Sequence, residues 1–201
     1  MMNNRLPLIS QAQFKKAVSE PHEWCKYYLD INNKKIWYVL LSGFEGNEGE
    51  FEGGEYLVRV ELPDDFPSKP PSFYFMTPNG LYKPEEKVCI SIGEFHADDY
   101  RAALGVFGFC TNLVSGLIGW RSMGGGINIL TTKIKEKKKL AKESVEFNIK
   151  NNYKHLQLVM ESYANYSAAW DLSKIPQPIK DKLGLVPKIP ETVNSDQEEK
   201  K

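Results

Sequence analysis

This sequence of 201 residues has no net charge, few cysteines and no long apolar run. Lysine plus arginine number 26, and aspartate plus glutamate also number 26, so the chain lacks the basic excess that nucleic acids and acidic surfaces attract. No apolar run reaches the roughly 18 residues of a transmembrane helix, and the N-terminus lacks the apolar region of a signal peptide. We therefore expect a soluble chain whose partners recognise local features.

Cysteine and histidine are too sparse for a cross-linked or metal-bound domain. The cysteines Cys25, Cys89 and Cys110 are too few and too irregularly spaced for a disulfide framework, and no Cys-x-x-Cys pair suggests zinc. The three histidines show no metal-ligand spacing either. These counts predict free thiols in a reducing compartment, with no bound metal or other cofactor.

Local patterns predict a helix followed by a small sheet. Ser10 and Gln13 fit a capping box, which predicts a helix over residues 10–19. The chain then turns β-rich in three successive runs, at residues 36–43, 55–63 and 72–78. Short turn-rich connections favour an antiparallel meander, because parallel strands need longer crossovers.

The second half of the chain is expected to be helical. Residues 104–120 are nearly all apolar and predict a buried central helix. A lysine-rich helix follows over residues 132–151, with the 133–142 charge cluster as a solvated face. We expect its inward face to comprise Ile134, Leu140, Ala141, Ser144, Phe147 and Asn148. Another helix is predicted up to Trp170, and the Pro-rich, charged tail at 171–201 is predicted to be disordered.

Three residues between the last β-rich run and the apolar helix are candidates for chemistry, and each also has an ordinary structural explanation. An intracellular cysteine such as Cys89 is most often a small buried residue, although a thiolate is also a strong nucleophile. Asn79 precedes a glycine, and Asn-Gly is a common turn pair. A lone loop histidine such as His96 is usually a solvent-facing or capping residue, although an imidazole titrates near neutral pH and can act as a base.

Five motifs in a fixed order resemble those of the ubiquitin-conjugating enzymes, over roughly residues 5–165. A turn with two glycines, EFEGG, precedes a strand, and the proline loop FPSKPP follows it. The stretches TPNG, CISI and FHAD come next and are similar to those of the J-type branch, which serves protein degradation at the endoplasmic reticulum. The motifs occupy residues 50–54, 66–71, 77–80, 89–92 and 95–98.

This resemblance implies an α+β fold, with a four-stranded antiparallel sheet flanked by helices, and a ubiquitin thioester on Cys89. Asn79 would donate a hydrogen bond to the oxyanion or hold its loop in place, and His96 would orient or deprotonate the acceptor lysine or hydroxyl. The implied partners are ubiquitin, the ubiquitin-activating enzyme, which consumes the ATP, and RING-type ligases. The implied partner-binding residues are Lys15, Lys16, Phe66, Pro67, Ser68, Ala102 and Ala103.

Two departures from the family pattern leave alternatives open. The usual Trp-x-Pro-Ala is Tyr100-Arg101-Ala102-Ala103, and Ser68 replaces a loop phenylalanine. A catalytically weak scaffold that binds ubiquitin or a ligase is therefore one alternative, and a cysteine hydrolase using Cys89 with His96 is another. The J-type resemblance, without a transmembrane anchor in this sequence, predicts a cytoplasmic location that includes the cytosolic face of the endoplasmic reticulum.

Overall fold

The computed structural model describes residues 5–20, 22–30, 32–44, 49–88, 102–122 and 129–166, excluding the side chains of residues 122 and 160–166. Its helices and strands are α1 (Leu6–Ser19), β1 (Cys25–Leu29), β2 (Ile36–Leu41), β3 (Tyr56–Glu61), β4 (Ser72–Phe75), α2 (Gly105–Ile118), α3 (Ile134–Asn151) and α4 (Tyr153–Tyr166). Short 3₁₀ turns at Ala102–Leu104 and Trp120–Ser122 flank α2. Within the described ranges, no helix has both the length and the apolarity to cross a bilayer.

The four strands form one antiparallel sheet in the order β1-β2-β3-β4. This confirms the predicted α+β class and the meander. Each of the three β-rich runs contains one strand, whereas β1, with the sequence CKYYL, was not located from the sequence. Its five residues alternate between buried and half-buried, but Tyr27 and Tyr28 are the same residue type and only Lys26 is charged, so the sequence carries little period-2 signal.

The two faces of the sheet are covered by different helices. Trp37 and Val39 belong to the main hydrophobic core together with the apolar side chains of α2. Tyr38 lies between them in sequence and therefore points to the other face. Its ring centre is 4.3 Å from that of His155 in α4, so α4 packs on the face opposite α2.

Helix α1 begins four residues earlier than predicted, because the capping-box interpretation of Ser10 was wrong. Pro7 lies in the first turn, where its fixed φ and missing N–H are tolerated. Ser10 lies inside the helix, fully buried, and its Oγ accepts a hydrogen bond from Trp37 Nε1 at 2.9 Å. Gln13 also bonds outside its own helix, since its Oε1 accepts a hydrogen bond from the amide of Val106 in α2 at 3.0 Å. Both side chains connect α1 to other elements instead of capping it.

The buried central helix is confirmed, whereas the inward face of α3 is only partly as predicted. Ala141, Ser144 and Asn148 are buried, but Ile134 is 45 % exposed. Lys137 takes a buried position instead and is 0 % exposed, although it belongs to the cluster that was expected to be solvated. The predicted disordered tail lies outside the described residues and stays a prediction.

Candidate active site

Asn79 is fully buried at the centre of a short loop that follows β4. Its Oδ1 accepts hydrogen bonds from the amides of Leu81 and Tyr82, both at 2.8 Å. Its Nδ2 donates to the Thr77 carbonyl at 3.4 Å. An asparagine that bonds the backbone two and three residues ahead stabilises a turn. The side chain therefore fixes the conformation of residues 77–82.

The amide group of Asn79 keeps donor capacity beyond this turn. A carboxamide has two N–H donors, and the single Nδ2 bond found here is long for a hydrogen bond. No described residue accepts the second hydrogen of Nδ2. The loop-holding role and an oxyanion-donor role use different atoms of the side chain and are thus chemically compatible.

Gly80 follows Asn79 in a left-handed backbone conformation, with φ of 74°. Glycine adopts this conformation without steric penalty. A Cβ at this position would also lie 3.0 Å from Cγ of Lys137 in α3. The Asn-Gly pair is therefore required both by the turn and by close packing against α3.

The chain returns beside β4 over residues 82–88. The rings of Phe75 and Tyr82 stack with centres 4.9 Å apart. The Glu85 amide donates to the Phe75 carbonyl, and the Val88 amide to the Phe73 carbonyl, both at 2.8 Å. These bonds anchor the backbone as far as Val88, the residue directly before Cys89 in sequence. Cys89 lies outside the described residues, as do His96 and Tyr100.

The two described cysteines, Cys25 and Cys110, are both fully buried. Burial raises the pKa of the Cys25 thiol to about 12, although Tyr27 and Lys26 act in the opposite direction. Burial likewise raises the pKa of Cys110 well above its usual value. The thiolate is the nucleophilic form, so neither residue is suited to nucleophilic chemistry near neutral pH. Both cysteines are therefore core residues.

The predicted partner-binding residues differ in their exposure. Lys15 and Lys16 are exposed on α1, as are Ala102 and Ala103 immediately before α2. Phe66 is only 1 % exposed and belongs to the main core, while Ser68 is exposed and Pro67 is half-buried. The Phe66 ring is thus placed to shape the proline loop, and it leaves its smaller neighbours at the surface.

A charged cluster beside the loop was not found from the sequence. The carboxylate of the buried Glu50 accepts a hydrogen bond from Trp120 Nε1 at 3.0 Å and pairs with Arg121. Burial alone would raise the pKa of Glu50, but these hydrogen bonds outweigh it and hold the pKa below its usual value. Lys137 Nζ donates to the Thr132 carbonyl and lies 4.2 Å from the centre of the Trp120 ring.

Burial lowers the pKa of Lys137, although the nearby Glu50 acts in the opposite direction. The only sequence signal for its burial was its spacing of four and seven residues before Ala141 and Ser144, which places all three on one helix face. Among the residues that the structure describes, no group of three or more His, Cys, Asp or Glu side chains could hold a metal ion.

Comparison with known proteins gives a consistent set of similarities. The family model described as "Ubiquitin-conjugating enzyme" matches residues 9–115. The chain is 30 % identical over 141 residues to the "Probable ubiquitin-conjugating enzyme E2 33" of Arabidopsis thaliana, covering 70 % of this chain and 56 % of that protein. It is 36 % identical over 115 residues to mouse "Ubiquitin-conjugating enzyme E2 J2", covering 57 % and 42 % of the two chains.

The chain spans little more than half the length of the first of these curated relatives. Among solved structures, human "Ubiquitin-conjugating enzyme E2 G1" aligns with a TM-score of 0.47 and 23 % identity, over 57 % of this chain and 95 % of that one.

Proposed function

Because the chain belongs to the ubiquitin-conjugating enzyme family, we propose that it carries ubiquitin as a thioester on Cys89 and transfers it to a substrate lysine or hydroxyl. In the first step, the Cys89 thiolate attacks the thioester that joins the C-terminal carbonyl of ubiquitin to the activating enzyme. The carbon–sulfur bond to the activating enzyme breaks as the new one forms, and the departing sulfur takes up a proton. Neither this step nor the later transfer to a substrate needs a cofactor on this chain, because ATP is consumed earlier by the activating enzyme.

The burial of the other two cysteines is the observation that carries this assignment. Cys25 and Cys110 are sealed in the core with raised pKa values, so neither can reach a carbonyl on another protein. Cys89 is the remaining thiol of the chain and falls inside the matched range of 9–115. It also directly follows Val88, whose amide is bonded to the sheet.

Asn79 is proposed to act in the second step. When an amine attacks the Cys89 thioester, negative charge develops on the carbonyl oxygen. The new carbon–nitrogen bond then replaces the carbon–sulfur bond, the Cys89 sulfur leaves as the thiol, and the amine loses a proton. A preorganised donor at that oxygen can contribute about 100-fold or more to the rate. No described residue accepts the second Nδ2 hydrogen of Asn79, and this hydrogen is proposed to supply the bond once the buried side chain is uncovered to the thioester. The Oδ1 bonds to Leu81 and Tyr82 hold the loop conformation meanwhile.

His96 remains the proposed base for the acceptor. An unperturbed imidazole titrates near neutral pH, and it can orient or deprotonate a lysine or hydroxyl. The test is a His96→Ala protein charged with ubiquitin and then given lysine or serine. Discharge to both acceptors at the parental rate would exclude the role.

We further propose the partners that this chemistry requires. The exposed Lys15 and Lys16 on α1 are the proposed contacts for the activating enzyme. Pro67 and Ser68 of the proline loop, which the buried Phe66 ring shapes, and the exposed pair Ala102 and Ala103 are the proposed surface for RING-type ligases. Similarity to E2 J2 proteins supports placement in the J-type branch, with cytoplasmic action at the endoplasmic reticulum as the corresponding proposal.

The deciding experiment incubates the protein with activating enzyme, ATP and ubiquitin, and resolves the products with and without reducing thiol. We expect a thiol-sensitive adduct that is absent in Cys89→Ala and thiol-resistant in Cys89→Ser, because a serine would form an oxygen ester. Cys110→Ala, which removes a buried thiol, is the matched control and should retain the adduct.

The other outcomes point to the alternative functions. If the parental protein forms no adduct but binds ubiquitin or a ligase, it is a scaffold. An adduct that forms without ATP would contradict the transferase and favour a hydrolase-like cysteine.

A further inference from the structure

The buried face of α3 is unusual because most of it is polar. Lys137, Ala141, Ser144 and Asn148 follow one another at intervals of four, three and four residues, and each is at most 1 % exposed. A helix in a globular protein ordinarily buries an apolar stripe. Buried polar groups are unfavourable unless they are hydrogen-bonded, so these side chains must hold something in place.

Ser144 and Asn148 both bind the residue that leads into β3. The Glu55 amide donates to Ser144 Oγ at 2.8 Å, and Asn148 Nδ2 donates to the Glu55 carbonyl at 2.9 Å. Ser144 Oγ in turn donates to the Ala141 carbonyl at 2.6 Å. Two side chains of α3 thereby satisfy both backbone polar groups of Glu55.

Asn148 also reaches the Asn79 loop directly. Its Oδ1 accepts a hydrogen bond from Thr77 Oγ1 and another, at 3.0 Å, from Asn152 Nδ2. Thr77 Oγ1 itself accepts a hydrogen bond from the Leu57 amide at 2.9 Å. The Thr77 hydroxyl therefore joins the loop to α3 and β3 at once, and every atom in this chain of bonds is buried.

Helix α3 makes a second contact with the loop at Gly80, three residues after Thr77. Gly80 packs against the Lys137 side chain, close enough that an added Cβ would lie 3.0 Å from Lys137 Cγ. Lys137 is fixed in turn by Thr132 and by the ring of Trp120. Helix α3 thus holds the loop on both sides of Asn79, through Thr77 before it and Gly80 after it.

We propose that Thr77 and Asn148 are positioning residues for Asn79, through which α3 sets the geometry of ubiquitin transfer. This proposal rests on the function proposed above, because it assigns a purpose to the loop geometry. The Thr77 carbonyl is the acceptor for Asn79 Nδ2, so moving Thr77 changes where the remaining Nδ2 hydrogen points. A displacement of about 1 Å at such a donor can lower a rate as much as 100-fold.

The test separates thioester formation from discharge. Thr77→Val removes the hydroxyl with little change in volume, Asn148→Leu removes the partner amide, and Thr77→Ser keeps the hydroxyl. Asn151→Ala is the matched control, because Asn151 is an exposed asparagine of the same helix whose side chain, among the described residues, bonds only the Phe147 carbonyl of that helix.

Purified thioester is mixed with increasing concentrations of free lysine, and the maximal discharge rate and half-saturating concentration are recorded. We expect Thr77→Val and Asn148→Leu to accept ubiquitin normally but to discharge about 10- to 100-fold more slowly at saturation, because a misdirected donor affects the transition state. The half-saturating lysine concentration should not change. Thr77→Ser should recover most of the parental rate, and Asn151→Ala should match it. Parental discharge in both Thr77→Val and Asn148→Leu would overturn the proposal, even if their melting temperatures fell.

A second measurement does not depend on turnover. Hydrogen exchange at the Leu81 and Tyr82 amides reports the two bonds to Asn79 Oδ1. We expect faster exchange at both amides in Thr77→Val and Asn148→Leu, but not in Asn151→Ala. Unchanged exchange would overturn the proposed link between α3 and the loop. If the parental protein forms no thioester on Cys89, the proposed function fails, and exchange alone then decides whether α3 positions Asn79.

Discussion

Helices α2 and α3 each bury one face in this fold, but they bury opposite kinds of side chain. The buried side chains of α2 are Val106, Phe109, Cys110, Leu113, Val114 and Leu117. Those of α3 are Lys137, Ala141, Ser144 and Asn148. Apolar contact is non-directional and scales with the area removed from water, whereas a hydrogen bond is sensitive to angle and distance. We infer that α2 mainly stabilises the fold and that α3 mainly fixes the position of what it contacts.

The largest expected effect is on the apolar side of this comparison. Phe109→Ala should lower the free energy of unfolding by about 3–5 kcal/mol, because it removes a buried ring and leaves a cavity. Urea unfolding measures this change. Ile118→Ala, at a position that is 43 % exposed in the same helix, is the control and should have a much smaller effect. If Phe109→Ala lowered the free energy of unfolding no more than Ile118→Ala does, the inference that the buried face of α2 stabilises the fold would be wrong.

A smaller loss of stability is expected on the polar side. Ser144→Ala deletes the acceptor of the Glu55 amide and should lower the free energy of unfolding by about 1–3 kcal/mol, because a buried donor is left unpaired. Ser115→Ala is the control, since Ser115 is exposed on α2 and its hydroxyl donates to the Thr111 carbonyl of its own helix, with no other side-chain bond among the described residues. Equal losses in the two variants would contradict the distinction between α2 and α3.

The smallest effect is a change with pH at Lys137. Burial lowers its folded-state pKa below the ordinary value near 10.5, so the unfolded chain binds the proton more tightly than the folded chain does. Lys137 therefore destabilises the fold below its folded pKa, and this penalty is relieved as pH rises towards the unfolded pKa. The parental protein should gain stability relative to Lys137→Met over that interval, by at most about 1.4 kcal/mol per pH unit.

Chemical unfolding at a series of pH values from neutral upward measures this gain. Lys138→Met, at an exposed lysine next to Lys137, is the control for removing one charge from the helix. A pH dependence no greater than that of the control would show that Lys137 is effectively solvated.

The α2–α3 contrast also explains how far the sequence could predict this fold. The central helix was found because an apolar run of helical length has one interpretation. Ile134 was assigned to the interior for the same reason, yet it is 45 % exposed while Lys137 is buried. Hydrophobicity does not indicate that a lysine will be enclosed by an aromatic ring, a carbonyl and a glycine from three other parts of the chain. That environment exists only after folding.

The candidate site shows the same division between local and long-range information. The turn at Asn79 was predictable, because the Asn-Gly pair encodes it locally. The link from Thr77 to Asn148 joins residues 71 positions apart, and no local pattern indicates it. The capping-box prediction at Ser10 and Gln13 was wrong for a related reason. Their spacing fits a cap, but their actual partners, Trp37 and Val106, are distant in sequence.

The bond between Ser10 and Trp37 also helps to set the rotation of α1 about its own axis, together with the Gln13 bond and the buried Leu6, Ala17 and Val18. Successive residues of an α-helix are separated by about 100°, so Lys15 and Lys16 lie at about 140° and 240° from Ser10, on either side of the opposite pole. The buried face of α1 therefore determines the direction in which both ammonium groups project. The approach angle of any partner that recognises those lysines would then be fixed from inside the protein, by residues on the buried face of the same helix.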